Sequence, residues 1–216
     1  KIPEGLSYEK AALIEPIAVA VHSLRTGRFL TGQSALVLGA GPIGLATIEA
    51  LKAAGASLVI VMQRKSVRQD YALRAGADIV IDPNEVNVAE EVKRLTGGVG
   101  ADISFETTGS KAGFDAGVES IRHNGTMVVT SIWENEVSIN PNTFIFSEKT
   151  IVGTIAYRNE FPATMAMMND GRIKAEGYIT KKISLDDIVK EGFGSLTGPE
   201  KKNHVKILVT PDKSLL

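Results

Sequence analysis

The sequence predicts an α/β fold built on a doubly wound, parallel sheet of six strands, and two observations carry this prediction. First, short apolar runs alternate with helical patterns from residue 34 to residue 155, which is typical of right-handed βαβ units. Second, the first of these runs ends in three closely spaced glycines before an apolar helical pattern, as expected of a strand, a tight turn and a helix. Strands are predicted at 35–38, 58–62, 79–81, 103–106, 126–130 and 151–155, and helices at about 43–54, 67–75, 88–95 and 113–121.

The glycines have the spacing G-x-G-x-x-G of a dinucleotide site. Gly39 would permit the turn, Gly41 would let the backbone approach a pyrophosphate, and Gly44 would let helix and strand pack closely. Pro42 and Ile43 would open a helix whose N-terminus attracts phosphate. A purely structural turn is the alternative, because Gly-rich turns are common. With its flanking strand and helix, however, the turn predicts a Rossmann fold in which these five residues bind a nucleotide.

The end of the second strand indicates which dinucleotide would bind. An NAD site usually has an Asp or Glu about 20 residues beyond the glycines, where it binds the ribose hydroxyls, but residues 55–69 contain no acid. Gln63, Arg64, Lys65 and Arg68 stand there instead. Three cations at a helix start oppose the helix dipole unless an anion offsets them, and arginine binds phosphate bidentately. We therefore predict that these residues bind NADP rather than NAD; a solvated positive helix end is the alternative.

Further candidates for cofactor contacts follow the fourth, fifth and sixth strands. Thr107 and Thr108 belong to a small, polar turn that either approaches the nicotinamide or only connects strand to helix. Ile132 follows the fifth strand, and Thr154 and Ile155 end the sixth. We count all five as cofactor-binding residues, since ligands of such folds bind at the carboxyl ends of the strands. If the sixth strand lies at the sheet edge, it must be covered or paired with another subunit.

One acid, Glu15, is embedded in an apolar stretch before a predicted helix that runs from Pro16 to about Thr26 and stops at Gly27. Because residues before proline avoid helical geometry, we expect Glu15 to be extended. Its carboxylate would then either complement the helix dipole, which is a structural role, or belong to a functional site. His22, on the same helix, is expected to be a packed or surface residue rather than a ligand.

Composition narrows the class of protein. The 216 residues are 44% hydrophobic with a formal net charge of −1, which predicts a globular protein without a nucleic-acid partner. No apolar run approaches the roughly 20 residues that a membrane span needs, so we expect no membrane partner and a cytoplasmic location. The absence of cysteine excludes disulfides, thiolate metal sites and cysteine nucleophiles from this chain. Residues 1–5 lack a Met and form a Pro-Glu-Gly turn, which suggests a fragment of a longer protein.

Together these motifs resemble the zinc-dependent medium-chain dehydrogenase/reductase family, specifically its 2,3-butanediol and polyol (sorbitol) dehydrogenase branch. The resemblance covers essentially the whole chain and implies a two-domain enzyme of which this chain is the cofactor-binding part. It also implies hydride transfer between the nicotinamide and a secondary alcohol, with zinc polarising the alcohol oxygen. The matching residues are 12–16, 39–44, 76–78, 107–109 and 152–154, together with the run 63–68.

The resemblance implies roles for particular segments. Glu15 stands where this branch adds a carboxylate to the zinc site, whereas the other ligands would lie in a second, missing catalytic domain. Residues 1–165 would form the dinucleotide domain with its leading helix, and residues 166–216 would pack back on the missing domain. We expect this chain alone to bind NADP without turnover, zinc to be present in the full-length protein, and the protein to be a homo-oligomer, dimer or tetramer.

The substrate implied by the resemblance is a small diol or hydroxyketone, 2,3-butanediol or acetoin. Polyol dehydrogenases often have an Arg where this chain has Ala156, which mildly disfavours a sugar alcohol. Two other classes stay open: a nucleotide-sensing Rossmann module without catalysis, and a zinc-free quinone reductase of the same superfamily. The carboxylate at position 15 favours the dehydrogenase over both.

Overall fold

A computed structural model describes all 216 residues, and its main feature is a parallel sheet of six strands in the order β3-β2-β1-β4-β5-β6. This is the strand order of a doubly wound nucleotide-binding fold, so the predicted fold class is confirmed. The direction of winding reverses between β1 and β4, which opens a crevice at the carboxyl ends of these two strands. The strands are β1 (Ser34–Leu38), β2 (Leu58–Met62), β3 (Ile79–Ile81), β4 (Ala101–Glu106), β5 (Ile121–Val129) and β6 (Thr150–Gly153).

Helices cover both faces of the sheet. The second and third helices pack against Ala35 and Val37 of β1, whereas Leu36 and Leu38 lie on the other face against the fifth helix. All four residues are fully buried, because a sheet covered on both faces needs apolar residues at successive positions. None of the helices combines the length and the apolar character that crossing a membrane requires. The helices are α1 (Tyr8–Ala11), α2 (Ile14–Thr26), α3 (Pro42–Ala53), α4 (Val67–Arg74), α5 (Val88–Leu95), α6 (Lys111–Ser120), α7 (Asn142–Ile145), α8 (Phe161–Asn169) and α9 (Gly194–Thr197).

The crossover helices begin where the sequence supplies a cap. Ser66, Asn87 and Ser110 accept a backbone N–H at the starts of α4, α5 and α6 through their side-chain oxygens. α3 has Pro42 as its first residue, where the N–H would have no partner inside the helix anyway. These caps fix the loops that follow the strands, and with them the polar residues at the carboxyl edge of the sheet.

The prediction that Glu15 is extended is wrong. α2 begins at Ile14 rather than at Pro16, so Glu15 lies in its first turn. The N–H groups of a first turn have no partner inside the helix, so a proline there removes no helical hydrogen bond. The Ile17 amide still donates to the Leu13 carbonyl at 3.2 Å. Glu15 is therefore helical, although a residue before proline generally prefers an extended conformation.

Two strand boundaries also differ from the prediction. The helix predicted to include Ile121 ends one residue earlier, and Ile121 pairs with Ala101 as the first residue of β5. The register then shifts, so that the next pair joins Thr126 to Ile103, and the polar residues in between form an irregularity that a sheet accommodates as a bulge. β6 ends at Gly153, so the two residues predicted to end it follow it instead.

The C-terminal segment returns to the Rossmann fold. α8 packs on α2, and a parallel pair of strands follows, β7 (Ile179–Ser184) and β8 (Lys206–Thr210). Glu49 of α3 anchors this segment, because its buried carboxylate accepts hydrogen bonds from the Tyr178 hydroxyl at 2.8 Å and from the Ala175 amide at 3.1 Å. Burial raises the pKa of Glu49. Residue 165 lies inside α8, and the division of the chain at that residue stays a prediction.

The outer side of β6 is an edge of the sheet, since no further strand pairs with it. Two large apolar residues shortly before it are exposed: Ile145 to 65% and Phe146 to 76%. An unpaired strand edge with exposed apolar side chains nearby is a surface that proteins usually cover.

Candidate dinucleotide site

The Gly-rich turn after β1 has the shape that the glycine spacing predicts. Gly39 has a φ of +96°, a left-handed conformation that favours glycine. A Cβ atom on Gly44 would lie 2.0 Å from the carbonyl oxygen of Gly39, so only glycine lets α3 approach the turn this closely. A Cβ atom on Gly41 would meet nothing within 4 Å. The turn and the close packing are thus confirmed, and the open space at Gly41 is where the sequence predicts a pyrophosphate.

The first turn of α3 has free hydrogen-bond donors. The amides of Ile43 and Gly44 donate to no oxygen of the protein. Pro42 contributes no N–H but begins the helix. Two free amides at the positive end of a twelve-residue helix suit an anionic group.

Gln63 ties the end of β2 to the Gly-rich turn. Its Oε1 atom accepts a hydrogen bond from the Ala40 amide at 2.9 Å, and its Nε2 atom donates to the Arg64 carbonyl at 2.9 Å. Gln63 thus lies at the strand end where an NAD site has its ribose-binding acid. Asp82, after β3, is buried and accepts a hydrogen bond from the Lys65 amide at 2.7 Å, which holds the cationic loop in place.

A cleft of about 810 Å³ opens beside Gln63, and none of its 14 lining residues is acidic. The structure brings together Arg64, Lys65 and Arg68 along it. Sequence reasoning missed that the C-terminal segment lines the same cleft, because nothing in the local pattern of its charged run relates it to the end of β2. The basic residues from that segment are Lys201, Lys202, His204 and Lys206.

Glu106 links the ends of β4 and β5. Its fully buried carboxylate accepts hydrogen bonds from the amides of Thr108 at 2.6 Å and Gly109 at 3.1 Å, and from the hydroxyls of Thr108 and Ser131. Thr107 in turn donates its hydroxyl to the Leu38 carbonyl at 2.7 Å, which connects β4 to the Gly-rich turn. Sequence reasoning missed Glu106, although an acid inside an apolar strand before Thr-Thr-Gly is a usable signal.

The remaining predicted cofactor residues lie at the same edge of the sheet. Ile132 follows β5 and Ile155 follows β6, and their side chains are 86% and 78% exposed. The Thr154 amide donates to the Val129 carbonyl at 3.0 Å, whereas its hydroxyl is buried without a partner. An orphaned hydroxyl next to the exposed Ile155, with the exposed Ile132 at the same edge of the sheet, fits a ligand that is part apolar and part amide, as a nicotinamide is.

A buried carboxylate fixes the loop that carries these residues. Glu160 accepts hydrogen bonds from the Arg158 amide at 2.6 Å, from His22 at 3.1 Å and from Arg25 at 3.2 Å. Burial alone would raise the pKa of Glu160, but these hydrogen bonds outweigh it and lower the pKa to about 2. His22 therefore packs against a carboxylate, as the sequence analysis expects of a packed residue, and the loop after β6 is anchored to α2.

Glu15 lies beyond the carboxyl ends of the strands but is not grouped with other metal ligands. α2 runs against the strand direction, because Gly27 at its C-terminal end lies beside Ile103 and Val128 within the sheet, whereas the Ser23 hydroxyl lies 3.3 Å from that of Thr130, just after β5. Glu15 is about 12 Å further along the helix, and its side chain is exposed. No three His, Cys, Asp or Glu side chains of the chain are placed to hold a metal ion. The residues of this chain therefore do not make a zinc site by themselves.

The chain is similar in sequence to known dehydrogenases. The chain is 43% identical to the (R,R)-butanediol dehydrogenase of Bacillus subtilis strain 168 over 213 residues, and 39% identical to that of Neisseria gonorrhoeae over 212 residues. It is also 32% identical to the Bacillus subtilis sorbitol dehydrogenase over 186 residues. These matches cover 98%, 98% and 86% of this chain but 60%, 59% and 53% of the relatives. The chain thus spans a little more than half of their length.

Solved structures agree with the sequence matches. The crystal structure of 2R,3R-butanediol dehydrogenase from Bacillus subtilis matches with a TM-score of 0.92 over 98% of this chain and 60% of that one. A candidate zinc-binding dehydrogenase from Sinorhizobium meliloti bound to NADP, 26% identical, has a TM-score of 0.88 over 97% of this chain and 61% of that one. An alcohol dehydrogenase from Escherichia coli CFT073 in complex with NADH, 25% identical, has a TM-score of 0.89 with the same coverage.

A family model covers the central part of the chain. The model for zinc-binding dehydrogenases matches residues 42–170, which is more than half of the sequence and includes every strand of the sheet after β1. The matched region begins at the first residue of α3, within the Gly-rich turn. With the strand order and the glycine geometry described above, this match shows that the chain belongs to the zinc-binding dehydrogenase family.

Proposed function

We propose that this chain is the cofactor-binding part of an alcohol dehydrogenase that transfers hydride between a nicotinamide dinucleotide and a small diol or hydroxyketone, with 2,3-butanediol and acetoin as the pair. The observation that carries the proposal is the Gly-rich turn, where the amides of Ile43 and Gly44 donate to no oxygen of the protein and a Cβ atom on Gly41 would meet nothing within 4 Å. Similarity to butanediol dehydrogenases supports the substrate. Since the chain spans about 60% of those relatives, the activity of the whole protein is part of the proposal.

Each group of site residues would serve one part of the cofactor. The amides at the start of α3 would hold the pyrophosphate, and Gln63 would face the adenosine ribose. Ile132 and Ile155 would cover the nicotinamide and keep water from its reactive carbon, above the turn formed by Thr107 and Thr108. When bound, the nicotinamide supplies the hydride donor or acceptor. The buried Thr154 hydroxyl offers its unused hydrogen bond to the carboxamide.

We propose NADP as the preferred cofactor, with NAD as the alternative. Arg64, Lys65 and Arg68 line a cleft without acids beside Gln63, and a 2′-phosphate would offset their charge. Similar proteins have been solved with NADP and with NADH, so similarity alone does not choose between them. The double variant Arg64→Ala, Lys65→Ala should bind NADPH at least about tenfold more weakly and NADH almost unchanged in a fluorescence titration. Equal losses for both cofactors would contradict the proposal.

For the metal, we propose that Glu15 contributes a carboxylate to a zinc site whose other ligands lie outside these 216 residues. Its exposed position beyond the carboxyl ends of the strands supports this role. The 216-residue chain would then bind NADPH without turnover. Steady acetoin reduction by the purified chain, with or without added zinc, would contradict this part of the proposal.

A sugar alcohol is the alternative substrate class, because a sorbitol dehydrogenase is among the relatives. Ala156 stands after the exposed Ile155, where a small side chain offers no positive charge to a longer polyol. We therefore expect the complete enzyme to oxidise 2,3-butanediol with a higher kcat/KM than sorbitol. Parallel steady-state measurements with the two alcohols decide this.

We further propose that the protein is a homo-oligomer, a dimer or tetramer, in which β6 meets β6 of a second copy. The unpaired edge of β6 and the exposed Ile145 and Phe146 support this arrangement. The double variant Ile145→Asp, Phe146→Asp should be monomeric by light scattering, whereas the unaltered protein should not. A monomeric unaltered protein would contradict the proposal.

A further inference from the structure

We propose that the C-terminal segment 199–206 completes a binding site for the 2′-phosphate of the adenosine ribose, with Lys201, Lys202 and Lys206 as specificity-determining residues. This inference rests on the proposed NADP preference and adds a second set of cations to it. The first set, Arg64, Lys65 and Arg68, follows β2, more than 130 residues earlier in the chain. The two sets line one cleft.

The C-terminal segment is held in place by contacts of two residues that lie between Lys202 and Lys206. The 3-10 turn Pro199–Asn203 carries Lys201 and Lys202. Next to it, the His204 carbonyl accepts a hydrogen bond from the Arg68 guanidinium at 3.4 Å. Val205 is buried in the main core, and its amide donates to the Thr180 hydroxyl at 3.2 Å. The lysines are therefore positioned by the fold rather than by a free tail.

The cations of the cleft lack the acidic partners that several other cations of this chain have. None of the six Lys and Arg residues named above forms a salt bridge. By contrast, Lys52 pairs with Asp78 at 3.0 Å and Arg122 with Asp102 at 2.7 Å. The Arg68 Nε atom is buried without a hydrogen-bond partner. Six unpaired cations in one cleft repel one another unless an anion lies between them.

The position of the cleft selects the kind of anion. Gln63 lines the cleft and also contacts the Gly-rich turn through Ala40, so the cleft begins where the adenosine ribose would lie. A phosphomonoester carries close to two negative charges at neutral pH and accepts several charge-assisted hydrogen bonds. Free inorganic phosphate has the same chemistry but lacks the adenosine, and this difference separates the two sources experimentally.

Binding measurements on matched variants test the proposal. We expect Lys201→Ala, Lys202→Ala to weaken binding of NADPH and of 2′,5′-ADP at least about tenfold and to leave NADH and 5′-AMP within about twofold. Lys174→Ala, Lys190→Ala is the control, since it removes two exposed lysines that do not line the cleft. It should change none of the four affinities. Inorganic phosphate alone should bind far more weakly than 2′,5′-ADP.

The outcomes separate this inference from the proposed cofactor preference. Suppose that the double variant Arg64→Ala, Lys65→Ala selectively loses NADPH affinity while the double variant Lys201→Ala, Lys202→Ala does not. In that case the C-terminal lysines have no role, and only the proposed preference for NADP survives. If the unaltered protein binds NADH as tightly as NADPH, both fail. If phosphate binds as tightly as 2′,5′-ADP, the cleft is a general anion site and the assignment to the ribose phosphate is overturned.

Limited proteolysis gives a second, independent readout. Lys201 and Lys202 are exposed and open to trypsin, and a ligand that joins them to the loop after β2 should reduce local opening. NADPH should slow cleavage after these two lysines severalfold more than NADH does at matched saturation, as followed by mass spectrometry. Equal protection by both cofactors would overturn the proposal.

Discussion

The Oε1 atom of Gln63 accepts a hydrogen bond from the Ala40 amide at 2.9 Å. This contact joins the two loops that would approach a dinucleotide from neighbouring strands, the Gly-rich turn after β1 and the cationic loop after β2. An uncharged side chain therefore occupies the strand end where an acid would bind the hydroxyls of an NAD ribose. The proposed preference for NADP over NAD rests on this position and on the cations around it.

The variant Gln63→Glu should lose its preference for NADPH. A carboxylate accepts hydrogen bonds from ribose hydroxyls but repels a 2′-phosphate, so the ratio of NADH to NADPH affinity should rise about tenfold or more. Fluorescence titration with both cofactors measures this ratio. Gln63→Ala is the control, because it removes the contact with Ala40 without adding charge and should weaken both cofactors alike. An unchanged ratio in the Glu variant would count against this position of the ribose.

Two glycines of the turn should respond differently to the same substitution. Gly44→Ala places a Cβ atom 2.0 Å from the Gly39 carbonyl oxygen, so we expect it to lower the free energy of unfolding by about 1–3 kcal/mol or more. The methyl group added by Gly41→Ala meets no protein atom within 4 Å, so the free energy of unfolding should not change. Binding of NADPH and of NADH should nevertheless weaken, because this methyl group enters the space predicted for the pyrophosphate. Urea unfolding and cofactor titration separate the two effects. Equal behaviour of both variants would speak against the distinct roles.

Glu106→Gln should loosen the nicotinamide end of the site and spare the adenosine end. Its carboxylate holds Thr108, Gly109 and Ser131, and an amide cannot accept from all of these donors. We expect a loss of about 1–3 kcal/mol in the free energy of unfolding, weaker NADH and NADPH binding, and unchanged 2′,5′-ADP binding. Ser131→Ala, which removes one donor only, should have a smaller effect in the same direction. A parallel loss of 2′,5′-ADP binding would show that Glu106 acts on the whole fold.

Glu160 should make the free energy of unfolding depend on pH in the acidic range. Its pKa is about 2 in the folded protein against an ordinary value of 4.5, so its contribution is complete above about pH 4.5 and is lost as the pH falls through 2. Urea unfolding between pH 6 and pH 2.5 should show a decline of the order of 1–3 kcal/mol that Glu160→Gln removes. His22→Ala should reduce the decline without abolishing it, since the Arg158 amide and Arg25 remain. Identical pH profiles for the unaltered protein and Glu160→Gln would refute this role.

Much of the sheet could be predicted because its signals are local. Leu36 and Leu38 follow Ala35 and Val37 without a polar residue, and this pattern alone indicates a strand buried on both faces. Prediction was wrong where the exact start of a helix or the pairing with a neighbouring strand decides. Glu15 is helical although a proline follows it, and Ile121 begins a strand because Ala101 of β4 pairs with it.

The candidate site likewise has residues that could be predicted from the sequence and residues that could not. The glycines and the cations after β2 could be found because a short motif and its spacing mark them. Lys201 and Lys202 could not be found, since their place beside Arg64 depends on a C-terminal segment that Glu49 anchors through Tyr178 from a distant helix. No local pattern encodes such a contact.

Calorimetric titration of the unaltered protein with NADPH and with NADH tests dinucleotide binding most directly. We predict that both cofactors bind with one site per chain and that the Kd of NADPH is lower by about tenfold or more. A correctly folded protein that binds neither cofactor would contradict the assignment of the Gly-rich turn. Equal affinity for both would contradict the preference for NADP.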